Sequence, residues 1–420
     1  MLLMPRRPKT LLVVSQTFIP DPASVGQHMA DVALMLAERG YSSGKYAVRV
    51  YASARGFENP TNVYPRHETI GHADVRRFPF ASFGKKSMPL RVLGTAVFML
   101  QAFCAALTAP RLAGIFFSTS PPLIGWSMTL AAAIRRVPTV YWAMDLNPDQ
   151  LIALGKVARG SFVERILEWI NRGILRRSTL IIALDRFMAD RLAARNIPRS
   201  KIVVMPPWPH EDKIQDESAE ESENPFRAKH QLAGKFVIMY SGNHSPSNPL
   251  TTILDAVVKL KDDDTLRFLF IGGGGGKREV EDYIRRHNLI NAVSLPYQPI
   301  ADLKYSLSAA DVHIVSLGQN MVGIIHPCKI YGAMAAGRPI LFLGPRPSHI
   351  SDLLDHHPIG LQVSHGDVEG AIAAIRQFQE MAAADLQSMG RTAATVLEES
   401  LSQSRLCNQF CDHVERALIG

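Results

Sequence analysis

The run TLLVVS at residues 10–15 is followed by a loop with proline and glycine at residues 18–26 and by a helical pattern at residues 28–39. An uninterrupted apolar strand is typical of a parallel sheet covered on both faces. A second such run, FVIMY at residues 236–240, restarts the alternation of strand and helix. The two runs predict an α/β protein with two doubly wound, Rossmann-like domains.

The predicted elements succeed one another regularly in both halves. The predicted strands are 10–15, 48–53, 114–118, 139–143, 180–184, 202–205, 236–240, 266–271, 292–295, 312–316 and 339–343. The predicted helices are 28–39 (closed by Gly40), 92–109, 124–135, 161–175, 249–260, 277–287, 300–309, 328–336, 367–382 and 401–417. Ligands of doubly wound domains bind beyond the carboxyl ends of the strands, so we expect the two domains to face a ligand cleft.

A domain boundary is predicted at the stiff segment Pro206-Pro207-Trp208-Pro209. The run at residues 216–223 follows it, and its acidic, apolar-poor composition predicts mobility. We therefore assign residues 1–208 to an N-terminal domain and residues 209–397 to a C-terminal domain. The last segment, 398–420, is expected to pack back on the first domain.

The composition excludes several classes of protein. Of 420 residues 47% are hydrophobic and 20% are charged, which excludes disorder for the bulk of the chain. Four cysteines without a CxxC pair indicate a reducing, cytoplasmic compartment and no zinc ribbon. The net charge of +8 suggests an anionic partner, but no basic low-complexity tail favours nucleic acid.

Basic residues cluster in the first half of the chain. The groups are Arg6-Arg7, Arg76-Arg77, Lys85-Lys86, Arg135-Arg136 and Arg176-Arg177. An ordinary soluble surface and a patch that faces the inner side of a membrane both explain them. The sequence leaves peripheral membrane contact through the N-terminal domain open.

The apolar segment Val92–Pro110 has three interpretations. It approaches the ~20 residues of a membrane span, but Gly94, Thr95, Gln101 and Thr108 dilute it. These residues favour a buried helix of a large α/β domain. A helix that rests on a membrane surface is the third interpretation.

Two conspicuous motifs do not have the spacing or the position that their usual functions require. Gly272–Gly276 follows a strand and opens a helix, as a phosphate loop does, yet it matches neither the P-loop nor the GxGxxG spacing. This disfavours an NAD enzyme. Asp262-Asp263-Asp264 precedes an interior strand, so we interpret it as a solvated turn away from the ligand edge. No metal-ligand spacing is present, and neither metal nor cofactor is expected.

Taken together, the local sequences resemble the GT-B glycosyltransferases of family 4, in the branch of O-antigen and capsule enzymes. The matching stretches cover most of the chain, and they are Ser15–Gly26, Leu36–Gly40, Asp145-Leu146-Asn147-Pro148, Tyr240-Ser241-Gly242-Asn243, Leu307–Ser316 and Met334–Pro339. The resemblance implies a retaining transfer from a nucleotide-sugar donor to a glycan or lipid-linked acceptor in surface polysaccharide synthesis.

The resemblance also implies a set of site residues. Lys329 and Asp145 are the expected catalytic groups: Lys329 as the cation for the donor phosphates, and Asp145 as a catalytic or acceptor-orienting group. Ser118–Pro122 is a second candidate for the acceptor side. The remaining donor contacts are expected at Gly26, Gln27, Gly242, Asn243, His244, Gly273, Tyr297, His326, Pro327 and Cys328.

The sequence also departs from the family. Ile324 and Gly332 occupy the positions of its two glutamates, and residues 244–248 (HSPSN) replace its usual Arg and Lys. Sugar contacts are then expected from His326, Lys329, His244 or Gln319. An unusual donor or a loss of catalysis would also explain these replacements. Two alternatives stay open beside a transferase: a sugar-nucleotide epimerase on the same fold, and a non-catalytic nucleotide-sugar-binding scaffold.

Overall fold

The computed structural model describes residues 8–21, 23–56, 59–80, 88–209 and 224–420. They divide into two units. The first comprises the chain up to Pro207 together with Ser404–Gly420, and the second comprises Trp208–Gln403. The basic pairs Arg6-Arg7 and Lys85-Lys86 and the acidic run at residues 216–223 lie outside the described residues.

The first unit is built on a sheet of eight strands. These are β1 (Lys9–Val14), β2 (Tyr46–Ser53), β3 (His67–Ile70), β4 (Ala73–Phe78), β5 (Leu112–Phe117), β6 (Thr139–Ala143), β7 (Leu180–Ala183) and β8 (Ile202–Val204). Their order is β3-β4-β2-β1-β5-β6-β7-β8, and all neighbours are parallel except β3 with β4. The apolar residues Leu11–Val14 are fully buried in the centre of this sheet.

Helices connect these strands. They are α1 (Ser24–Ser43), α2 (Met88–Thr108), α3 (Ile124–Arg135), α4 (Asp149–Ala153), α5 (Phe162–Arg177) and α6 (Arg186–Ala193). Helix α5 begins where the Ser161 side chain accepts a hydrogen bond from the backbone N–H of Glu164, the usual N-cap arrangement.

The second unit has a six-stranded parallel sheet in the order β11-β10-β9-β12-β13-β14. Its strands are β9 (Phe236–Ser241), β10 (Leu266–Ile271), β11 (Ala292–Leu295), β12 (Val312–Ser316), β13 (Ile340–Leu343) and β14 (Gly360–Val363). Its helices are α7 (Pro225–Lys229), α8 (Thr251–Lys259), α9 (Lys277–Arg286), α10 (Leu303–Ser308), α11 (Lys329–Ala335), α12 (His349–His356), α13 (Val368–Glu380) and α14 (Ala383–Leu401). Counted along the unit, this is the 3-2-1-4-5-6 order of the Rossmann fold.

The last helix, α15 (Gln403–Leu418), packs on the first unit. Its Phe410 ring lies 4.3 Å from the Trp142 ring on β6 and 5.6 Å from the Phe116 ring on β5, measured between centroids. Arg39 of α1 binds Asp412 and Glu415 at 2.7 and 2.8 Å. Residues 398–401, assigned from the sequence to this returning segment, instead end α14 in the second unit.

Three sequence predictions about helices are wrong. Helix α1 continues past Gly40, whose missing side chain admits the Tyr46 carbonyl, and ends at Gly44 in the left-handed conformation (φ 66°). The predicted helix 300–309 is a 3₁₀ turn, Ile300–Asp302, followed by α10. Helix α2 is not a buried core helix, because only 22% of its apolar window Leu90–Thr108 is buried.

Candidate functional site

The second unit has its topological switch point between β9 and β12, which are neighbours in the sheet although their connections run in opposite directions. Ligands of open α/β sheets bind in the crevice beyond the carboxyl ends of such a strand pair. Gly242, Asn243 and His244 follow β9 directly, and Lys329 begins the helix that follows β12. The topology therefore brings these sequence-predicted residues to one edge of one sheet.

The loops after β9 and β10 are interlocked at this edge. His244 N–H donates to the Gly273 carbonyl (2.7 Å), and Gly276 N–H donates to the His244 carbonyl (2.9 Å). A Cβ atom on Gly272 would lie 1.9 Å from the Gly242 carbonyl oxygen, and one on Gly274 would lie 2.0 Å from the Asn243 side-chain oxygen. The glycine run is therefore explained mainly by close approach of two backbones.

The lysine at the end of the glycine run serves this loop. Lys277 Nζ donates to the carbonyls of Gly272 and Leu295, both at 2.7 Å. Because the ammonium of Lys277 is engaged by these two backbone carbonyls, it is not positioned to bind a phosphate. This agrees with the failed P-loop spacing.

Lys329 supplies a positive charge at this edge of the second sheet. Its Cε atom lies where a side chain on Gly242 would begin, 2.6 Å from an ideal Cβ at that position, and its Nζ lies 5.4 Å from the centre of the Tyr240 ring. Burial lowers the pKa of Lys329 to about 8. Among the described residues no carboxylate lies within ion-pairing distance of its ammonium.

Asn248, which the sequence analysis did not single out, holds this lysine in place. With its amide oriented to suit its neighbours, Nδ2 donates to the Ser316 carbonyl (2.9 Å) and Oδ1 accepts from Lys329 Nζ (3.2 Å). The only sequence signal for Asn248 was its place in HSPSN, the segment that replaces the family's usual basic residues.

His244 and His326 differ in their surroundings. His244 is 1% exposed, and neither of its ring nitrogens has a hydrogen-bond partner among the described residues. Burial lowers its pKa. His326 Nε2 lies 2.7 Å from the Tyr331 hydroxyl, and the His326 ring lies 4.3 Å from the His349 ring. Tyr331 and His349 are positions that sequence reasoning missed, because they lie beyond the motif that contains His326.

The remaining predicted donor contacts flank this group. Tyr297 is 57% exposed, and its ring lies 2.8 Å from an ideal Cβ on Gly273, so those two residues form one wall. Pro327 is buried and Cys328 is exposed immediately before α11. Gln319 is exposed in the loop after β12.

The positions of the family's glutamates have ordinary structural surroundings here. Ile324 is 3% exposed, and Gly332 lies inside α11. Asp263 binds Thr265 and Arg376, contacts that lower its pKa to about 2, and it precedes β10 at the opposite edge of the sheet. The interpretation of this aspartate as a turn residue is confirmed.

The first unit has its own switch point, between β1 and β5. The loops after these strands meet where Gln16 N–H donates to the Ser120 carbonyl (2.9 Å). Gly26, predicted to lie in the preceding loop, lies with Gln27 in the first turn of α1, and both of their N–H groups donate to the Ala23 carbonyl.

Asp145 follows β6, one strand away from this switch point. Burial raises its pKa to about 6. A nearby cavity of about 20 Å³, room for one water molecule, is lined in equal parts by apolar residues and by polar ones, the latter being Ser118, Thr119, Tyr141, Asn147 and Asn171. Asn171 Nδ2 has no hydrogen-bond partner within the described residues. This edge of the first unit thus offers a desolvated carboxyl beside polar side chains.

No group of three or more His, Cys, Asp or Glu side chains suited to a metal ion occurs among the described residues.

The fold is that of the GT-B class of glycosyltransferases. The structure of HepE from Anabaena in complex with UDP-glucose superposes with a TM-score of 0.70 at 15% identity, covering 97% of this chain and 99% of that one. Residues 25–208 match the family described as Glycosyl transferase 4-like domain, and residues 235–380 match Glycosyl transferases group 1. The chain belongs to the group 1 glycosyltransferases of family 4.

Two relatives extend the comparison. A Pseudomonas aeruginosa protein named as the glycosyltransferase WbjE is 27% identical over 337 residues, 79% of this chain and 81% of the relative. A protein of Escherichia coli K12 named as the colanic acid biosynthesis glycosyl transferase WcaI is 22% identical over 414 residues, 96% of this chain and 99% of the relative.

Proposed function

We propose that this glycosyltransferase moves a sugar from a nucleoside-diphosphate donor to a glycan or lipid-linked acceptor, with retention of configuration and without metal. The reaction takes place in the cytoplasm, with peripheral contact at the inner face of the membrane, and serves synthesis of a surface polysaccharide. The relatives named for WbjE and for colanic acid synthesis, and the UDP-glucose bound to HepE, support this choice.

The observation that carries the proposal is Lys329. An ammonium that is desolvated and lacks a carboxylate partner requires an anion, and it lies beside Gly242 at the switch point where this fold binds nucleotides. A sugar diphosphate supplies that anion. Gly273 follows β10 and Tyr297 follows β11, and these two residues, which lie against each other, are the proposed contacts of the base.

The chemistry requires little more than charge stabilisation. The acceptor oxygen forms a bond to the anomeric carbon, the bond from that carbon to the β-phosphate oxygen breaks, and the acceptor proton passes to the departing phosphate. Negative charge on the diphosphate grows as the bond breaks, so an ammonium held in a desolvated site lowers the barrier. Asp145, as a carboxylate, orients the acceptor hydroxyl by accepting its hydrogen bond.

The family's two glutamates are replaced, so sugar hydroxyls are proposed to bind other polar groups of the second unit. His244 is the best placed, because its ring nitrogens have no hydrogen-bond partner among the described residues. His326, whose Nε2 atom lies 2.7 Å from the Tyr331 hydroxyl, is the second proposed sugar contact.

Donor binding is tested by thermal unfolding of the wild type with nucleoside diphosphates and their sugars, without added metal. A donor at a hundred times its dissociation constant is expected to add ~2.7 kcal/mol of stability. Lys329→Met should lose most of this response. Lys261→Met is the matched control, because Lys261 is exposed at the opposite edge of the same sheet.

Turnover distinguishes the three candidate functions. Release of nucleoside diphosphate that requires a polyprenyl-diphosphate-linked sugar supports transfer. Conversion of donor alone to an epimer would establish the epimerase instead. Donor binding without any conversion, with all acceptors offered, would establish the scaffold.

A further inference from the structure

The outer face of α5 is apolar although it is exposed. Phe162 is 76% exposed, Trp169 64% and Val163 53%, and Ile166 belongs to the same group at 42%. Interfacial helices combine such a face with basic residues. Among the described residues of unit one, nothing covers this face.

Exposed apolar side chains also occur on the two helices that follow α5 in this helix layer, α3 and then α2. Helix α3 packs on α5, and α2 packs on α3. The exposed apolar residues of α3 are Leu130 and Ile134, and those of α2 are Leu90, Val92, Leu93 and Leu100. Ten of the sixteen exposed large apolar side chains within the described residues thus lie on three adjacent helices, which is far from a random scatter.

A notch of about 400 Å³ between α3 and α5 is lined mainly by tryptophan and arginine. The Trp126 and Trp169 rings lie 4.9 Å apart, and the Arg177 guanidinium lies 5.0 Å from the Trp126 ring. Arg176 also lines the notch, and within the described residues neither Arg176 nor Arg177 has a carboxylate in ion-pairing distance. Tryptophan and arginine are the side chains that favour the level of lipid head groups.

The charges on and around the exposed face of α2, α3 and α5 favour an anionic bilayer as its binding partner. The two carboxylates of α5 are engaged: Glu164 accepts from the Gly160 N–H, and Glu168 binds Arg172 and Arg195. Helices α2 and α3 contain no acidic residue. The face therefore presents apolar side chains beside unpaired positive charge, which complements an anionic bilayer.

We propose that the α2–α3–α5 face of the first unit is a membrane-binding surface for anionic phospholipid, with Phe162 and Trp169 inserted among the lipids and Arg176 and Arg177 on the phosphates. This inference rests on the proposed function and names the residues that make its peripheral membrane contact. Vesicle binding requires neither donor nor acceptor, so failure of this inference and failure of the donor chemistry are distinguishable.

The test is co-sedimentation with vesicles of phosphatidylcholine alone and of phosphatidylcholine with phosphatidylglycerol. We expect binding to the anionic vesicles that weakens with salt. Arg176→Gln/Arg177→Gln should bind roughly 30-fold more weakly, since each basic residue near an anionic surface contributes about fivefold. The control Arg278→Gln/Arg285→Gln removes equal charge from exposed arginines of the second unit and should bind as the wild type does.

Phe162→Ser/Trp169→Ser should abolish sedimentation with the anionic vesicles. Val63→Ser/Ile290→Ser, which removes two equally exposed apolar side chains elsewhere, should not. Trp142 and Trp208 are buried, so a blue shift of tryptophan fluorescence on binding reports Trp126 and Trp169, and Trp169→Phe should diminish it.

Three outcomes would overturn the inference. One is the absence of binding to any vesicle. Another is binding that the α5 variants do not alter. The third is a wild-type dimer in sedimentation velocity that Phe162→Ser/Trp169→Ser converts to monomer, which would show that a second copy of the chain covers this face.

Discussion

The side chain of Lys329 lies directly over the backbone of Gly242: an ideal Cβ atom at position 242 would come within 2.6 Å of Lys329 Cε. Gly242 also has a φ of 133°, which a residue with a side chain rarely adopts. The glycine therefore has two roles, since it permits the turn after β9 and leaves the space that the lysine occupies.

Gly242→Ala is expected to displace Lys329 and to lower donor affinity about tenfold or more, as loss of a charge-assisted hydrogen bond does. Titration calorimetry with the donor measures this. Gly234→Ala is the control, because Gly234 also has a positive φ (68°) but has nothing within 4 Å of an added Cβ. Equal affinity loss in both variants would attribute the effect to backbone strain alone.

Donor affinity should depend on pH through Lys329. Burial places its pKa near 8, so the free protein loses the ammonium charge as the pH rises through that value. The diphosphate of a nucleotide sugar keeps its charge in this range. Affinity should be constant below pH 8 and decline up to tenfold per unit above it, with proton uptake on binding.

Titration calorimetry in two buffers of different ionisation enthalpy measures that proton uptake. Lys329→Met should bind weakly with no pH dependence between 7 and 9.5, values chosen to bracket a pKa of about 8. Persistence of the wild-type profile in the variant would assign the titration to another group.

Asp145→Asn should stabilise the first unit while it lowers activity. The folded-state pKa of Asp145 is raised to about 6, so the carboxylate form is disfavoured and stability falls as the pH rises from ~4 to ~6. Each unit of pKa shift corresponds to ~1.4 kcal/mol, which gives ~1–3 kcal/mol of added stability at pH 7. Urea unfolding at pH 7 and pH 4 should show a gain at pH 7 that vanishes at pH 4.

Asp149→Asn is the matched control, and its change in stability should be opposite in sign to that of Asp145→Asn. Asp149 accepts two hydrogen bonds from Arg195, both at 2.6 Å, so its amide variant should lose stability at pH 7. If Asp145→Asn also lost stability at pH 7, this would contradict the interpretation that burial of the Asp145 carboxylate destabilises the fold.

Two neighbouring glycines should respond differently to alanine. At Gly274 a Cβ would lie 2.0 Å from the Asn243 side chain and 2.6 Å from the His244 carbonyl, at a φ of 110°. At Gly275 it would meet nothing within 4 Å. Gly274→Ala should therefore cost about 1–3 kcal/mol and disturb donor binding, whereas Gly275→Ala should be neutral in thermal unfolding and in donor titration.

Much of the fold follows from local pattern. The strands Leu266–Ile271, Ala292–Leu295 and Val312–Ser316 and the helix Ile124–Arg135 have the predicted bounds. Each is an apolar or periodic run bounded by turn residues, and such signals lie within the segment itself. The strands missed include β3 and β14, which are four-residue edge strands with mostly exposed or half-buried side chains. They also include β4, whose buried face contains the charged Arg77 and therefore gives only a weak apolar alternation.

The sequence by itself determined the class of this protein: two alternating α/β halves, a lysine after the fourth strand of the second half, and glycines after its first two. Only the tertiary structure decided which of these groups meet. Asn248 orients Lys329, and Tyr331 holds His326. Four apolar residues of α2 are exposed instead of buried in the core: Leu90, Val92, Leu93 and Leu100. The reason is physical, because a local pattern specifies the conformation of its own segment, whereas burial, pKa and contact depend on neighbours distant in sequence.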